Sequence, residues 1–165
     1  MDTTQRVSTG AGVANLVLVL GCIATLGWLT ARHMSLAPIW SFMVTFGLMV
    51  MGLIWLALLT GIVHVINPEI AQAHGSGAAL VPVATGMLMI VPFTLLALVA
   101  ELLLGWSATQ AFAAAGLMTG AGAVGVEIGR LGPRKLLNSL VPAAGGMLFV
   151  VVWMLLGALG QGVSG

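Results

Sequence analysis

The stretch LVPVATGMLMIVPFTLLALVAELLLG, residues 80–105, decides the fold class of this chain. It is almost entirely apolar over more than the roughly twenty residues that an α-helix needs to cross the hydrocarbon of a bilayer. Two prolines, Pro82 and Pro92, and the carboxylate of Glu101 stand out within it. Transmembrane β-strands alternate apolar and polar residues over about ten positions, and this stretch does not. It therefore predicts a transmembrane helix.

The composition extends this prediction to the whole chain. Of the 165 residues, 60% are hydrophobic and 5% are charged, and the mean hydropathy is +1.17. Soluble domains carry about 25% charged residues, so four acids and five bases cannot cover a soluble surface. We expect an all-α integral membrane protein. A net charge of +1 without a basic stripe argues against a nucleic-acid partner.

Polar and helix-breaking residues divide the chain into five predicted spans. Arg32 and His33 follow the first span, Asn67-Pro68 ends the second, and Gly105 separates the third from the fourth. The cluster RLGPRK at 130–135 precedes the last span, for which Asn138 and Ser139 are candidate N-caps with Pro142 in the first turn. The predicted spans are 11–31, 37–66, 79–105, 108–129 and 138–160, in one transmembrane domain covering 1–165.

The basic residues predict the orientation. In a five-span topology Arg32 lies alone on one side, and the other side holds Arg6, Arg130, Arg134 and Lys135. Cytoplasmic loops carry the excess of Lys and Arg. We therefore expect a cytoplasmic N-terminus, an external C-terminus and a bacterial-type cytoplasmic (inner) membrane. Tryptophan prefers the membrane interface, and the outer interface of this topology would hold Trp28, Trp40 and Trp106.

A short repeat accompanies the third and fifth spans. LVPVATGML at 80–88 returns as LVPAAGGML at 140–148, and both copies begin a span that runs in the same direction. A parallel two-helix hairpin repeat with one added helix would explain the match. Chance is the alternative, because a chain built mostly from Leu, Val, Ala, Gly and Met produces such matches readily.

Glu101 is the first candidate for chemistry. An ionisable group within the hydrocarbon costs about 2.5–3.5 kcal/mol at the helix centre on insertion scales. One interpretation is a proton or ion site formed by Glu101 with the Pro92 kink, where the carbonyl of Leu88 loses its usual N–H donor. The other is a carboxylate near the interface that bonds a headgroup or a neighbouring helix.

The fourth span carries two further features. Glycines four residues apart let another backbone approach closely, which predicts a packing or partner face at Gly116, Gly120, Gly125 and Gly129. The partner of that face is left open: a helix of this chain, a second copy or another subunit. The i,i+3 spacing of Glu127 and Arg130 predicts a local ion pair, and with Arg134 and Lys135 these residues form a predicted cytoplasmic anchor.

No motif points to catalysis. The chain lacks the His-Glu-x-x-His, Gly-x-Ser-x-Gly and phosphate-loop patterns, so we expect no enzyme, no catalytic residue, no metal and no cofactor. Two hypotheses remain. The first is a non-catalytic membrane subunit that packs against partner subunits or copies of itself within the lipid bilayer. The second is a small oligomeric transporter or channel that uses Glu101 and the Pro92-kinked third helix.

Overall fold

The computed structural model describes residues 9–68, 80–131 and 135–163. Within these ranges the chain forms helices and no strand. The helices are α1 (Thr9–His33), α2 (Pro38–Ile66), α3 (Leu80–Met87), α4 (Ile90–Leu103), α5 (Trp106–Leu131) and α6 (Lys135–Val163). The all-helical prediction is confirmed.

Four helical segments are long and apolar enough to cross a membrane: Ala11–His33, Pro38–Ile66, Leu80–Leu103 and Trp106–Arg130. The third of these combines α3 and α4. A shorter apolar stretch, Leu140–Leu155, lies within α6. These helices are those of a multi-pass membrane protein. Orientation, the repeat and the identity of the membrane stay predictions.

The third span breaks one turn before Pro92. Leu88 and Met89 separate α3 from α4. Their amides donate to the carbonyls of Thr85 and Gly86 over 3.2 Å each, which is the i to i+3 pattern of a 3₁₀ turn. Pro92 is the third residue of α4, a position whose N–H has no intrahelical acceptor in any helix. The missing donor of proline therefore costs least there. Leu80–Leu103 is still one span, but it consists of two helices that break at Leu88 and Met89 instead of one helix kinked at Pro92.

The place of Pro142 in its helix also differs from the prediction. Pro142 lies inside α6 rather than in its first turn, because the helix begins at Lys135, before the expected caps at Asn138 and Ser139. A proline within a helix removes one backbone donor, yet α6 continues through it. No contact among the described residues explains why α6 accommodates Pro142.

The helices form a ring in the order α1, α2, α6, α5 and the α3–α4 pair, which returns to α1. Most neighbours in this ring are antiparallel, but α1 runs parallel to α3 and α4. The parallel seam is joined by small and polar residues, as is usual between membrane helices. From one end to the other, its contacts are Gly12 with Val81, Asn15 with Thr85, and Cys22 with Thr94.

Both copies of the nine-residue repeat pack against α5 through the same position. A methyl group on Gly86, the seventh residue of the first copy, would lie 2.4 Å from the backbone N of Val124. One on Gly146, the seventh residue of the second, would lie 2.4 Å from Cβ of Ala121. Close contact with α5 therefore requires glycine at this position in both copies, whatever their origin.

Candidate functional site

The carboxylate of Glu101 meets a hydroxyl at the α4–α5 turn. Oε2 of Glu101, near the end of α4, lies 3.0 Å from Oγ1 of Thr109, in the first turn of α5. The same hydroxyl oxygen lies 3.1 Å from the carbonyl oxygen of Gly105. Thr109 is 1% exposed, whereas Glu101 is partly buried. We call these three residues the Glu101 site.

The backbone of Gly105 brings the Glu101 site together. Its φ of +84° is the left-handed conformation that commonly ends helices and that glycine adopts without steric cost. The amides of Leu104 and Gly105 both donate to the carbonyl of Ala100 over 2.8 Å, and α5 begins at the next residue, Trp106. The last turn of α4 and the first turn of α5 therefore lie side by side.

An aromatic cluster lies at the same end of the bundle, which we call the His33 end. The ring of His33 stacks on Trp106 with 4.3 Å between centroids, and Trp106 meets the edge of Trp153 at 6.4 Å. Trp153 Nε1 donates to Thr30 Oγ1 over 3.1 Å, and Thr30 donates to the carbonyl of Leu26 over 2.8 Å. The cluster ties α1, α5 and α6 together.

Tryptophans at this end differ in exposure. Trp28 and Trp40 are 48% and 59% exposed, as expected for interface residues, and Arg32 lies over the Trp28 ring at 5.5 Å. Trp106 is instead half-buried, and its Nε1 is buried without a hydrogen-bond partner among the described residues. The stacking with His33 explains why this indole turns into the bundle.

The residues of the predicted ion site do not converge. Glu101 follows Pro92 by nine residues, which at about 100° per residue places the two on opposite faces of α4. Pro92 is exposed on the outside of the bundle. The carbonyl of Leu88 is not left without a donor, because the amide of Val91 bonds to it over 3.0 Å. Glu101 therefore belongs with α5 rather than with the helix break.

The glycines of α5 serve contacts within the chain. A methyl group on Gly116 would lie 2.6 Å from Cβ of Phe93, and one on Gly120 would lie 3.2 Å from the sulfur of Met87. Gly125 is also buried, whereas Gly129 is half-buried with open space where a methyl group would lie. The neighbours of Gly116 and Gly120 are therefore helices of the same chain.

The outward face of α5 is a second surface of small residues, which the sequence reasoning missed. We call it the outer stripe; it is exposed or half-buried throughout and consists of Ser107, Ala111, Ala115, Thr119 and Gly122. A methyl group on Gly122 would meet nothing within 4 Å. Small residues at i,i+4 spacing mark both faces of α5 in the sequence, and spacing alone does not tell which face points outward.

The opposite end of α5 carries the predicted ion pair. Arg130 Nη1 donates to Glu127 Oε1 over 2.9 Å, with the side chains 69% and 33% exposed. Its i,i+3 geometry is local to one helix turn. Arg134 lies outside the described residues, as does the side chain of Lys135, so the rest of the predicted anchor stays a prediction.

One small cavity lies inside the described part of the bundle. A cavity of about 10 Å³ lies between α1, α2, α5 and α6, bounded by apolar side chains that include Ile23, Leu48, Leu117 and Phe149. One water molecule needs about 10–15 Å³ and two to four polar partners. The described residues also contain no group of three His, Cys, Asp or Glu side chains placed to hold a metal ion.

Comparison with known proteins gives no relative: no protein-family model, characterised protein or solved structure matches the chain.

Proposed function

We propose that this protein is a non-catalytic, multi-pass subunit of a larger complex in a cytoplasmic membrane, and that it packs against its partner through the outer stripe of α5. The observation that supports this proposal is the contrast between the outer stripe and the outward faces of α4 and of the first turns of α2. On α4 the exposed residues are large, as in Leu95 (59%) and Leu102 (75%). On α2 they include Phe42 (68%) and Phe46 (55%).

Small and large outward residues suit different neighbours. Lipid chains solvate large apolar side chains well, whereas small residues are enriched where two membrane helices pack, because they let the backbones approach closely. Gly116 and Gly120 already pack against α3 and α4, so they are not available to a partner. The outer stripe is a small-residue surface on the opposite side of the same helix, and a partner helix there would give α5 close neighbours on both sides.

The experiment is native mass spectrometry of the tagged protein after gentle extraction from its own membrane. Gly122→Leu and Ala115→Leu place bulky side chains on the outer stripe. Gly61→Leu and Ala57→Leu make the same changes on an exposed part of α2, where Gly61 also has open space around it. We expect the α5 variants to lose a stoichiometric partner and the α2 variants to keep it.

Two results would contradict the proposal. If the partner is retained in both α5 variants, the outer stripe is not the docking surface. If the wild-type protein is extracted as a single chain in every mild condition, it is not a complex subunit. Gly120→Leu is unsuitable for this purpose, because the contact of Gly120 with Met87 lies within the chain and its loss would disturb the fold.

The alternative is a small oligomeric transporter or channel, favoured by the carboxylate of Glu101 within the third span. The cavity of about 10 Å³ inside the bundle is too small and too apolar for a hydrated path, so the path would run between copies. Its test is flux through liposomes containing the purified protein. Unchanged flux in Glu101→Gln would exclude the carboxylate from the mechanism.

A further inference from the structure

Arg32 places a positive charge at the end of the outward face of α1. It is exposed and lies in the last turn of α1, one residue before the apolar segment Ala11–His33 ends. Its guanidinium lies over the Trp28 ring at 5.5 Å, and the ring covers one face of that planar group. The ion pair found among the described residues joins Arg130 to Glu127, so the described part of the chain gives Arg32 no carboxylate partner.

The outward face of α1 continues from Arg32 into the apolar span. Residues spaced three or four apart lie on one side of a helix, and those on the side of Arg32 are exposed or half-buried: Ala14, Val17, Leu18, Gly21, Thr25 and Trp28. Gly21 has open space where a methyl group would lie. The Thr25 hydroxyl already donates to the carbonyl of Gly21 over 2.9 Å. Away from its charged end, this face is therefore suited to acyl chains.

We propose that this face binds one phospholipid, with the headgroup phosphate on the Arg32 guanidinium and an acyl chain along α1 toward Gly21. Arginine presents five N–H donors in one plane. Stacking on a ring leaves the edge of that plane open, and the edge can bond two oxygens of a phosphate. Trp28 lies one turn deeper than the charge, at the level of the membrane interface, where tryptophan is enriched.

The length of the face agrees with the thickness of one leaflet. Gly21 and Arg32 are eleven residues apart, which at about 1.5 Å per residue is roughly 16 Å along the helix. Half of the hydrocarbon core of a bilayer is about 15 Å. With the Arg32 guanidinium at the depth of the phosphates, Gly21 lies near the midplane, where the acyl chains of that leaflet end.

A phospholipid fits this face better than a protein helix or a free phosphate. Trp28 and Leu18 are 48% and 55% exposed, and such large side chains keep a second helix backbone at a distance, whereas lipid chains adapt to them. A free phosphate would contact Arg32 alone and make no use of the apolar face. The inference is independent of the proposed packing through α5, because it concerns α1.

Native mass spectrometry of the full chain in detergent, titrated with phosphatidylglycerol, tests the proposal. Diacylglycerol with the same acyl chains is the matched ligand, because it lacks the phosphate. We expect Arg32→Gln to bind phosphatidylglycerol about tenfold more weakly than the wild type, which corresponds to about 1.4 kcal/mol. Diacylglycerol should bind weakly and equally to both proteins, and inorganic phosphate at the same concentration should not displace the phospholipid.

Two further variants separate the Arg32 guanidinium from positive charge in general. Arg130→Gln removes an exposed arginine that is already paired with Glu127, so it should weaken lipid binding less than Arg32→Gln does. Arg32→Lys keeps the charge but lacks the planar donors and the stacking on Trp28, so it should bind phosphatidylglycerol more weakly than the wild type. Near-ultraviolet circular dichroism of the tryptophans checks that each variant retains its packing.

Several results would overturn the proposal. If Arg32→Gln binds phosphatidylglycerol as well as the wild type does, or if diacylglycerol binds as tightly as phosphatidylglycerol, Arg32 does not hold a lipid phosphate. An equal loss of binding in Arg130→Gln would show that binding follows net charge. A co-purified protein chain that Arg32→Gln loses, with lipid binding unchanged, would assign this face of α1 to a protein partner.

Discussion

Gly86 marks a close approach between the backbones of α3 and α5. A methyl group there would lie 2.4 Å from the backbone N and 2.5 Å from Cα of Val124. Backbone atoms cannot move aside as the end of a flexible side chain can, so α3 and α5 would have to separate. This contact depends on the absence of a side chain at residue 86.

Gly86→Ala is therefore expected to lower the free energy of unfolding by about 1–3 kcal/mol, as overpacking does in well-packed cores. The measurement is unfolding in detergent, followed by tryptophan fluorescence. Gly122→Ala is the matched control, because a methyl group on Gly122 meets nothing within 4 Å. Equal stability of the two variants would show that the α3–α5 contact is looser than described.

Ser35 has a backbone conformation that is unfavourable for any residue with a Cβ atom. Its φ is +51° in the turn between α1 and α2, a left-handed conformation that costs residues with a Cβ roughly 1–2 kcal/mol. Gly105 solves the same problem in the α4–α5 turn with a φ of +84°. The two turns thus differ in how much strain they carry.

Ser35→Gly should stabilise the fold by about 1 kcal/mol, because glycine relieves the left-handed strain. The same substitution at Ser41, which lies within α2, should destabilise it by at least roughly 0.5–1 kcal/mol, because glycine is costly in a helix and the hydrogen bond from Ser41 Oγ to the carbonyl of Leu36 is lost. Opposite signs for the two serines in thermal unfolding are the expected result. Destabilisation by both would mean that the side chain of Ser35 makes a contact that outweighs the strain.

At the scale of the element, Pro92 causes the break between α3 and α4, although it lies after the break, in α4. The carbonyl of Leu88 is the group that residue 92 would bond in an unbroken helix, and it accepts instead from Val91 over 3.0 Å. The chain forms tighter i to i+3 turns at the break because Pro92 has no N–H and its ring crowds that carbonyl.

Pro92→Ala should join the two helices. An alanine amide at residue 92 can bond the carbonyl of Leu88, so we expect the amide of Val91 to exchange with solvent more slowly, in line with about 1 kcal/mol for one hydrogen bond. Site-resolved exchange in nanodiscs makes the measurement. Because Pro92 faces outward, the substitution should leave the core unchanged. Unaltered exchange at Val91 would mean that tertiary packing, and not the proline, holds the break open.

At the scale of the whole molecule, the ring of helices places the turn at 34–37 and the turn at 104–105 at one end, the His33 end. The Glu127–Arg130 ion pair lies at the other end of α5, toward the predicted cytoplasmic cluster. The positive-inside rule therefore makes one prediction for all helices at once, since inverting the protein would move every turn to the other side.

Cysteine labelling tests that orientation, because Cys22 is the single cysteine of the chain. In a Cys22→Ala background, a cysteine at Ala37 should react with a membrane-impermeant maleimide added outside the cell. A cysteine at Pro68, which is exposed just after α2, should react only after the membrane is opened. The reverse pattern would invert the predicted topology. Labelling of both from outside would contradict the pairing of spans.

Local properties could be predicted because they depend on neighbours in the chain. The apolar runs and the scarcity of charge determined helices that suit a membrane. Similarly, the three-residue spacing of Glu127 and Arg130 determined their ion pair, since side chains at that spacing share a helix face. Glu101 is a candidate for the same kind of reason: a carboxylate inside an apolar run is conspicuous without any structure.

Tertiary structure alone decided which surfaces those helices use. Both faces of α5 carry small residues, and only the positions of Phe93 and Met87 show that Gly116 and Gly120 face inward while Gly122 faces outward. The partner of Glu101 was hidden for a related reason, because the left-handed backbone at Gly105 brings Thr109 to it. Composition and spacing determine that a helix forms in the membrane, but its rotation and its neighbours depend on contacts between residues far apart in the chain.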